Sequence, residues 1–156
     1  MDSCADQKKQ AFFQLLMDRM NAKGHFSSNS NIRIEKLDEG YAEGILDIRP
    51  ENLNMLGYVH GGCLATLADT VAGMGVIASG HAAVTANYGL NFLRPATGNQ
   101  IRCIATAEKM GKTLCVMRVE LFNDTSKPVA AGSFTFCLTE PLDPEHPFGW
   151  SADNAE

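Results

Sequence analysis

At 156 residues, with 45% hydrophobic residues and a formal net charge of −5, the chain is long enough for one domain with a real core. The acidic balance and the lack of any basic run argue against a surface built for nucleic acid or anionic membrane. Met1-Asp2-Ser3-Cys4 has neither the basic nor the apolar part of a secretory signal, and no uninterrupted apolar run reaches the roughly 18 residues of a membrane span, so a cytoplasmic location is expected.

Residues 5–23 read as an amphipathic helix, with Phe12, Leu15, Leu16 and Met20 on one face and Gly24 as its stop. Phe26 to Asn31 is polar and turn-forming, which makes residues 1–31 a helix with a linker. Ile32-Arg33-Ile34-Glu35-Lys36-Leu37 then alternates with period two. Asp38-Glu39-Gly40 turns, and Tyr41 to Ile48 returns, so a hairpin is expected. Pro50 closes it, and Glu51 to Tyr58 forms a loop.

A central helix follows from His60-Gly61-Gly62. Leu64, Leu67, Ala68, Val71, Ala72 and Gly75 recur at helical spacing and give one wholly apolar face. Thr66, Asp69, Thr70 and Gly73 fall opposite, and no Lys, Arg or Glu occurs between Asn54 and Ile77. The expectation is a helix buried nearly all round, with Asp69 as its one charged side chain. A buried carboxylate costs several kcal/mol unless it is paired, hydrogen-bonded or protonated, so Asp69 demands a role. Gly61 and Gly62 sit at the helix start, where free N–H groups and the positive end of the macrodipole would stabilise a carbonyl oxygen gaining charge. Gly61 lies eight residues from Asp69, about 12 Å of rise, so one helix cannot bring both to the same atom. Two antiparallel copies side by side can, which predicts a site shared across a homodimer or a dimer of dimers. Gly73-Met74-Gly75 is assigned to close packing against that partner helix.

Four strands are expected after Gly80-His81: Val84–Leu93, Gln100–Met110, Thr113–Asn123 and Val129–Thr139, joined by short turns that imply antiparallel neighbours. The order β-β-α-β-β-β-β with one dominant helix predicts an α+β fold, a curved antiparallel β-sheet wrapped around one long central helix. The domain proper spans 32–140. The proline-rich stretch 141–156 reads as an irregular tail anchored by Phe148 and Trp150. Cys4, Cys63, Cys103, Cys115 and Cys137 form no C-x-x-C pair, so neither a disulfide framework nor a metal site is expected. His25, His81 and His146 stand alone in polar turns and carry no assignment.

Asn54, His60-Gly61-Gly62 and Leu67-Ala68-Asp69, with the later Ala83–Ala96 segment, resemble the hotdog-fold acyl-CoA thioesterases, in their phenylacetyl-CoA-thioesterase-like branch. The likeness covers roughly residues 32–140. It implies a hotdog fold, hydrolysis of an acyl-CoA thioester and no cofactor. Asp69 would be the catalytic carboxylate, either activating water or attacking the thioester itself. His60 is open to two readings, general base or, as the resemblance implies, a residue whose backbone positions the helix start. Asn54 is either an Asx-turn residue or the one that orients the water or the carbonyl. Thr85 is either a plain strand threonine or a second hydroxyl facing the site. Arg94 and the Gly111-Lys112 turn are solvated, or they meet a CoA phosphate. Tyr58, Met74 and Phe92 would line a pocket for an aryl or medium-length acyl group. Two other functions compete. A hotdog dehydratase or hydratase needs an acid/base pair that the helix does not show, and a non-catalytic acyl-CoA sensor would need an output module longer than residues 1–31.

Overall fold

The computed structural model describes residues 3–148. In chain order its elements are α1 (Ser3–Asn21), α2 (Phe26–Asn29), β1 (Ile32–Asp38), β2 (Tyr41–Asp47), α3 (Gly61–Ile77), β3 (His81–Phe92), β4 (Gln100–Met110), β5 (Leu114–Asn123) and β6 (Pro128–Pro141). The strands form one six-stranded antiparallel sheet in the order β1-β2-β4-β5-β6-β3. This sheet curls around α3, which touches all six strands. It does not close: β1 and β3 are both edges. This is the hotdog arrangement expected from the sequence.

The core lies between the sheet's inner face and α3. Leu67, Val71 and Val76 from the helix meet Leu46, Ile101, Met117, Val119 and Phe134 from the strands, all fully buried. Two glycines allow this contact to be tight. A Cβ at Gly44 on β2 would stand 2.6 Å from Val71 Cγ2, and one at Gly75 on α3 would stand 2.8 Å from Met117 Cε and 3.3 Å from the Tyr41 backbone N. Gly75 therefore serves packing within the chain, against β2 and β5, and not a partner helix. The turn between β1 and β2 is seated on the end of α3, where the Gly40 N–H donates to the Gly75 carbonyl at 2.9 Å.

Several local expectations are corrected. Helix α1 packs through Phe13 and Leu16, while Leu15 is 40% exposed. Residues Phe26–Asn29 make one helical turn instead of an irregular link. His81 opens β3 instead of breaking the chain before it. Helix α3 is not buried all round: Thr66, Asp69, Thr70 and Gly73 are half-buried, because the sheet leaves that face uncovered between its β3–β6 side and α1. Trp150 lies outside the described residues; Phe148 packs near Arg19, with the guanidinium 5.9 Å from the ring centroid.

On β2, Glu43 is 7% exposed and holds a network across three strands. It accepts from the Tyr41 hydroxyl and from Lys36 Nζ at 3.0 Å, with Arg102 at 3.7 Å. Burial pushes its carboxyl up, but the Tyr41 and Lys36 hydrogen bonds and the Lys36 and Arg102 charges outweigh that and hold it below the usual carboxylate value.

Candidate active site

The uncovered face of α3 opens into a cavity of 810 Å³. Asp69, Thr70 and Gly73 form its floor, with Ala83 and Thr85 of β3 and Phe136 of β6 on one side. The surface is mostly apolar, and Asp69 is the one carboxylate on its floor. Asp69 and Thr85 are sixteen residues apart in sequence, yet Thr85 Oγ1 donates to Asp69 Oδ1 at 2.7 Å. That bond fixes the carboxylate and leaves Oδ2 without a hydrogen-bond partner among the described residues. Half exposed at an apolar wall and held by one hydroxyl, such a carboxylate can take a proton from water or attack an electrophilic carbon.

The helix start is built separately. Pro50–Asn52 makes a single 3-10 turn, and Asn52, 2% exposed, ties the loop down. Its Oδ1 accepts from the Arg49 N–H at 2.9 Å, its Nδ2 donates to the Ser30 carbonyl at 3.3 Å, and its carbonyl accepts the His60 N–H at 2.8 Å. His60 is the N-cap: its Nδ1 accepts the Gly62 N–H at 2.9 Å. The Gly62 amide is thus engaged, and the His60 ring works as a positioning group here. A Cβ at Gly62 would lie 3.1 Å from His60 Nδ1, which shows how closely that ring folds over the helix end. The Gly61 N–H takes part in none of the hydrogen bonds among the described residues. Asn54 Oδ1 accepts from Leu56 N–H at 2.9 Å and Tyr58 N–H at 3.2 Å, the Asx-turn reading of that residue, with Nδ2 left over.

The nine residues singled out from the sequence therefore divide. Asp69 and Thr85 share the large cavity. Asn54, Gly61 and Arg94 line a second cleft of 370 Å³, together with Tyr58 and Phe92. Gly111 and Lys112 border a third, of 410 Å³, beside Ser79 and His81. His60 and Gly62 form the cap between the loop and α3. Met74 lines the Asp69 cavity, while Tyr58 and Phe92 do not. Within the chain Gly61 and Asp69 border different clefts, as the helical rise between them requires.

Sequence reasoning did not connect Arg19, Met20, His25 and Phe148 with Asp69, although all four line its cavity. It also did not find Asn52. No spacing rule connects residues 19–25 with 69–85, and a buried asparagine in a loop leaves no pattern. Among the described residues no cluster suits a metal ion, and no helix is long and apolar enough to cross a membrane.

Residues 56–130 match the family model of the thioesterase superfamily. The acyl-coenzyme A thioesterase PaaI of Escherichia coli is 34% identical over 100 residues, which cover 64% of this chain and 71% of that protein. Human acyl-coenzyme A thioesterase 13 is 33% identical over 94 residues, covering 58% and 67%. The solved structure of E. coli PaaI, from the phenylacetic acid degradation operon, superposes with a TM-score of 0.78 at 26% identity, covering 84% of this chain and 96% of that one. A Streptococcus pneumoniae thioesterase solved with coenzyme A gives 0.69 at 30% identity, covering 72% and 89%. That protein has also been solved as an aspartate-to-alanine and as a threonine-to-alanine variant, at positions sixteen residues apart. A chain with this fold and these matches belongs to the thioesterase superfamily, as a hotdog-fold thioester hydrolase.

Proposed function

We propose that the chain hydrolyses acyl-CoA thioesters to a free acid and CoA, with Asp69 as the catalytic carboxylate and an aryl or medium-length acyl group in the 810 Å³ cavity. The observation that carries this reading is the Thr85–Asp69 hydrogen bond at an apolar cavity, in a chain of this superfamily. The sixteen-residue spacing of the two positions varied in the streptococcal thioesterase supports it further. The relatives named for acyl-CoA substrates support the CoA moiety.

The thioester oxygen would lie at the Gly61 N–H of one subunit, where the helix end stabilises developing negative charge. Asp69 of the other subunit would act on the carbonyl carbon. As a base it takes a proton from water, hydroxide adds, and the C–S bond breaks to release the CoA thiolate. As a nucleophile it attacks the carbonyl carbon, the C–S bond breaks to expel the CoA thiolate and leave a mixed anhydride, and water then opens that anhydride to the free acid and Asp69. Asn54 Nδ2 would orient the water or the carbonyl, and His60 and Gly62 keep the helix start in shape. Arg94, beside Gly61, and Lys112, on the Gly111 turn, would meet the CoA phosphates. Because Gly61 and Asp69 lie about 12 Å apart along one helix, the working unit is a homodimer, or a dimer of dimers, with α3 helices antiparallel.

Thiol release against a panel of acyl-CoA thioesters tests the reaction, and at least one member should turn over. Asp69→Asn keeps the side chain's size and removes its charge; kcat should fall by about 10²- to 10⁴-fold with the melting temperature unchanged. Near-full kcat in that variant would return Asp69 to a structural role.

A further inference from the structure

The wall of the Asp69 cavity opposite β3 is made by chain segments that the family model does not cover. The model ends at residues 56 and 130, whereas Arg19, Met20, His25 and Phe148 lie outside it. Arg19 stands in the last turn of α1, where a positive charge suits the helix dipole. That alone does not place it on a cavity. Its guanidinium lies 5.9 Å from the centroid of the Phe148 ring, so residues from both ends of the described chain meet across the opening. Glu140 also borders the cavity, yet among the described residues no carboxylate stands within ion-pair reach of Arg19. A cation–π contact at that distance engages the charge and leaves the guanidinium N–H groups, which are donors and never acceptors, for something else. On the opposite side, the Thr85 hydroxyl is already committed to Asp69.

We infer that Arg19 and Phe148 are specificity-determining residues: they form the outer wall of the acyl chamber, and Arg19 binds an oxygen acceptor, hydroxyl or carboxylate, on the far part of the acyl group. This rests on the reading of the Asp69 cavity as the acyl site. The floor residues Asp69, Thr70, Gly73, Met74 and Ile77 follow one stripe of α3, about 12 Å long. An acyl chain held by its thioester at Asp69 therefore has room to run along the helix and turn toward α1. An unfunctionalised alkyl end would leave the Arg19 donors facing apolar atoms, while an oxygen there satisfies them.

Direct binding separates this inference from the hydrolysis reading. The probes are hexyl-CoA thioether, which no thioesterase can cleave, and its terminal-hydroxyl and terminal-carboxyl counterparts, titrated calorimetrically into the full-length protein. At least one oxygenated probe should bind about tenfold tighter than the plain one, the scale of a hydrogen bond to a charged group. Arg19→Leu should bring that ratio to about one, and Arg19→Lys should retain part of it. Phe148→Ala should weaken all three probes. Each ratio is internal to one variant, so a partly unfolded sample does not imitate the effect, and melting temperatures are measured beside it. A gain with the carboxylate alone identifies an anion as the ligand; equal gains identify a neutral acceptor. Equal affinities of the wild type for all three probes overturn the inference, as does a preference that survives Arg19→Leu. If the preference is present but no acyl-CoA is hydrolysed, the hydrolysis reading fails and the Arg19 assignment stands.

Discussion

The side-chain oxygen of Asn54 is committed to its own loop, and only its Nδ2 is left for a substrate. Asn54→Ser keeps a hydroxyl acceptor for the turn and removes Nδ2 without adding charge. We expect a melting temperature near that of the wild type and a kcat lower by about ten- to a thousandfold, the range for one lost polarising or positioning contact. An unchanged kcat would leave Asn54 a turn residue. Thr85→Val is the companion test on the other half: the shape is kept, the bond to Asp69 is lost, and kcat should fall by more than KM rises. Asp69 was legible in the sequence because a lone carboxylate on an uncharged helix is conspicuous. Thr85 was reached only through the family resemblance, since nothing local distinguishes a strand threonine that meets a helix sixteen residues away. Phe148 was expected only as an anchor of the tail, and Arg19 carried no assignment; their meeting on the Asp69 cavity was not legible, because contacts between distant segments leave no periodicity.

Among the elements, the strands and α3 followed their patterns closely, and the first four-residue helical turn after α1 did not. Phe26-Ser27-Ser28-Asn29 is made of residues that favour caps and turns over helix, so its helical turn reflects tertiary placement. The polar face of α3 departs from expectation for a different reason: a face without Lys, Arg or Glu borders a cavity here and is only half-buried. Within the sheet, Glu43 joins β1, β2 and β4, and its substitution has a pH signature. Its folded carboxyl sits below the unfolded value of 4.5, so its stabilisation is complete above that value and is lost as pH falls through the folded one. Glu43→Gln should therefore cost about 1–2 kcal/mol at neutral pH and progressively less in acid, measured by denaturant unfolding at several pH values. A pH-independent difference would assign the effect to packing.

For the whole molecule, the hairpins β1-β2, β4-β5 and β5-β6 and the wrapped helix were readable from turn lengths and the single long apolar pattern, but the short 93–99 connection was not: it carries the chain from edge strand β3 to β4 beside β2 instead of joining neighbours. The proposed assembly rests on a distance that one helix cannot bridge. Mixing Asp69→Asn with a blocked helix start, Gly61→Val, tests the shared site: in half the dimers, one site unites two intact halves. After subunit exchange, about a quarter of the wild-type rate should return. If exchange is demonstrated and no activity returns, each site belongs to a single subunit.

Strand β3 has a further consequence, for handling and storage. Its twelve residues pair with β6 on one side and, among the described residues, with nothing on the other, while Val84, Tyr88 and Phe92 are each more than half exposed. A long bare edge of this kind accepts any extended chain as readily as a correct one. Light scattering should therefore rise on storage at high concentration, and a soluble peptide copying β3 should speed that rise.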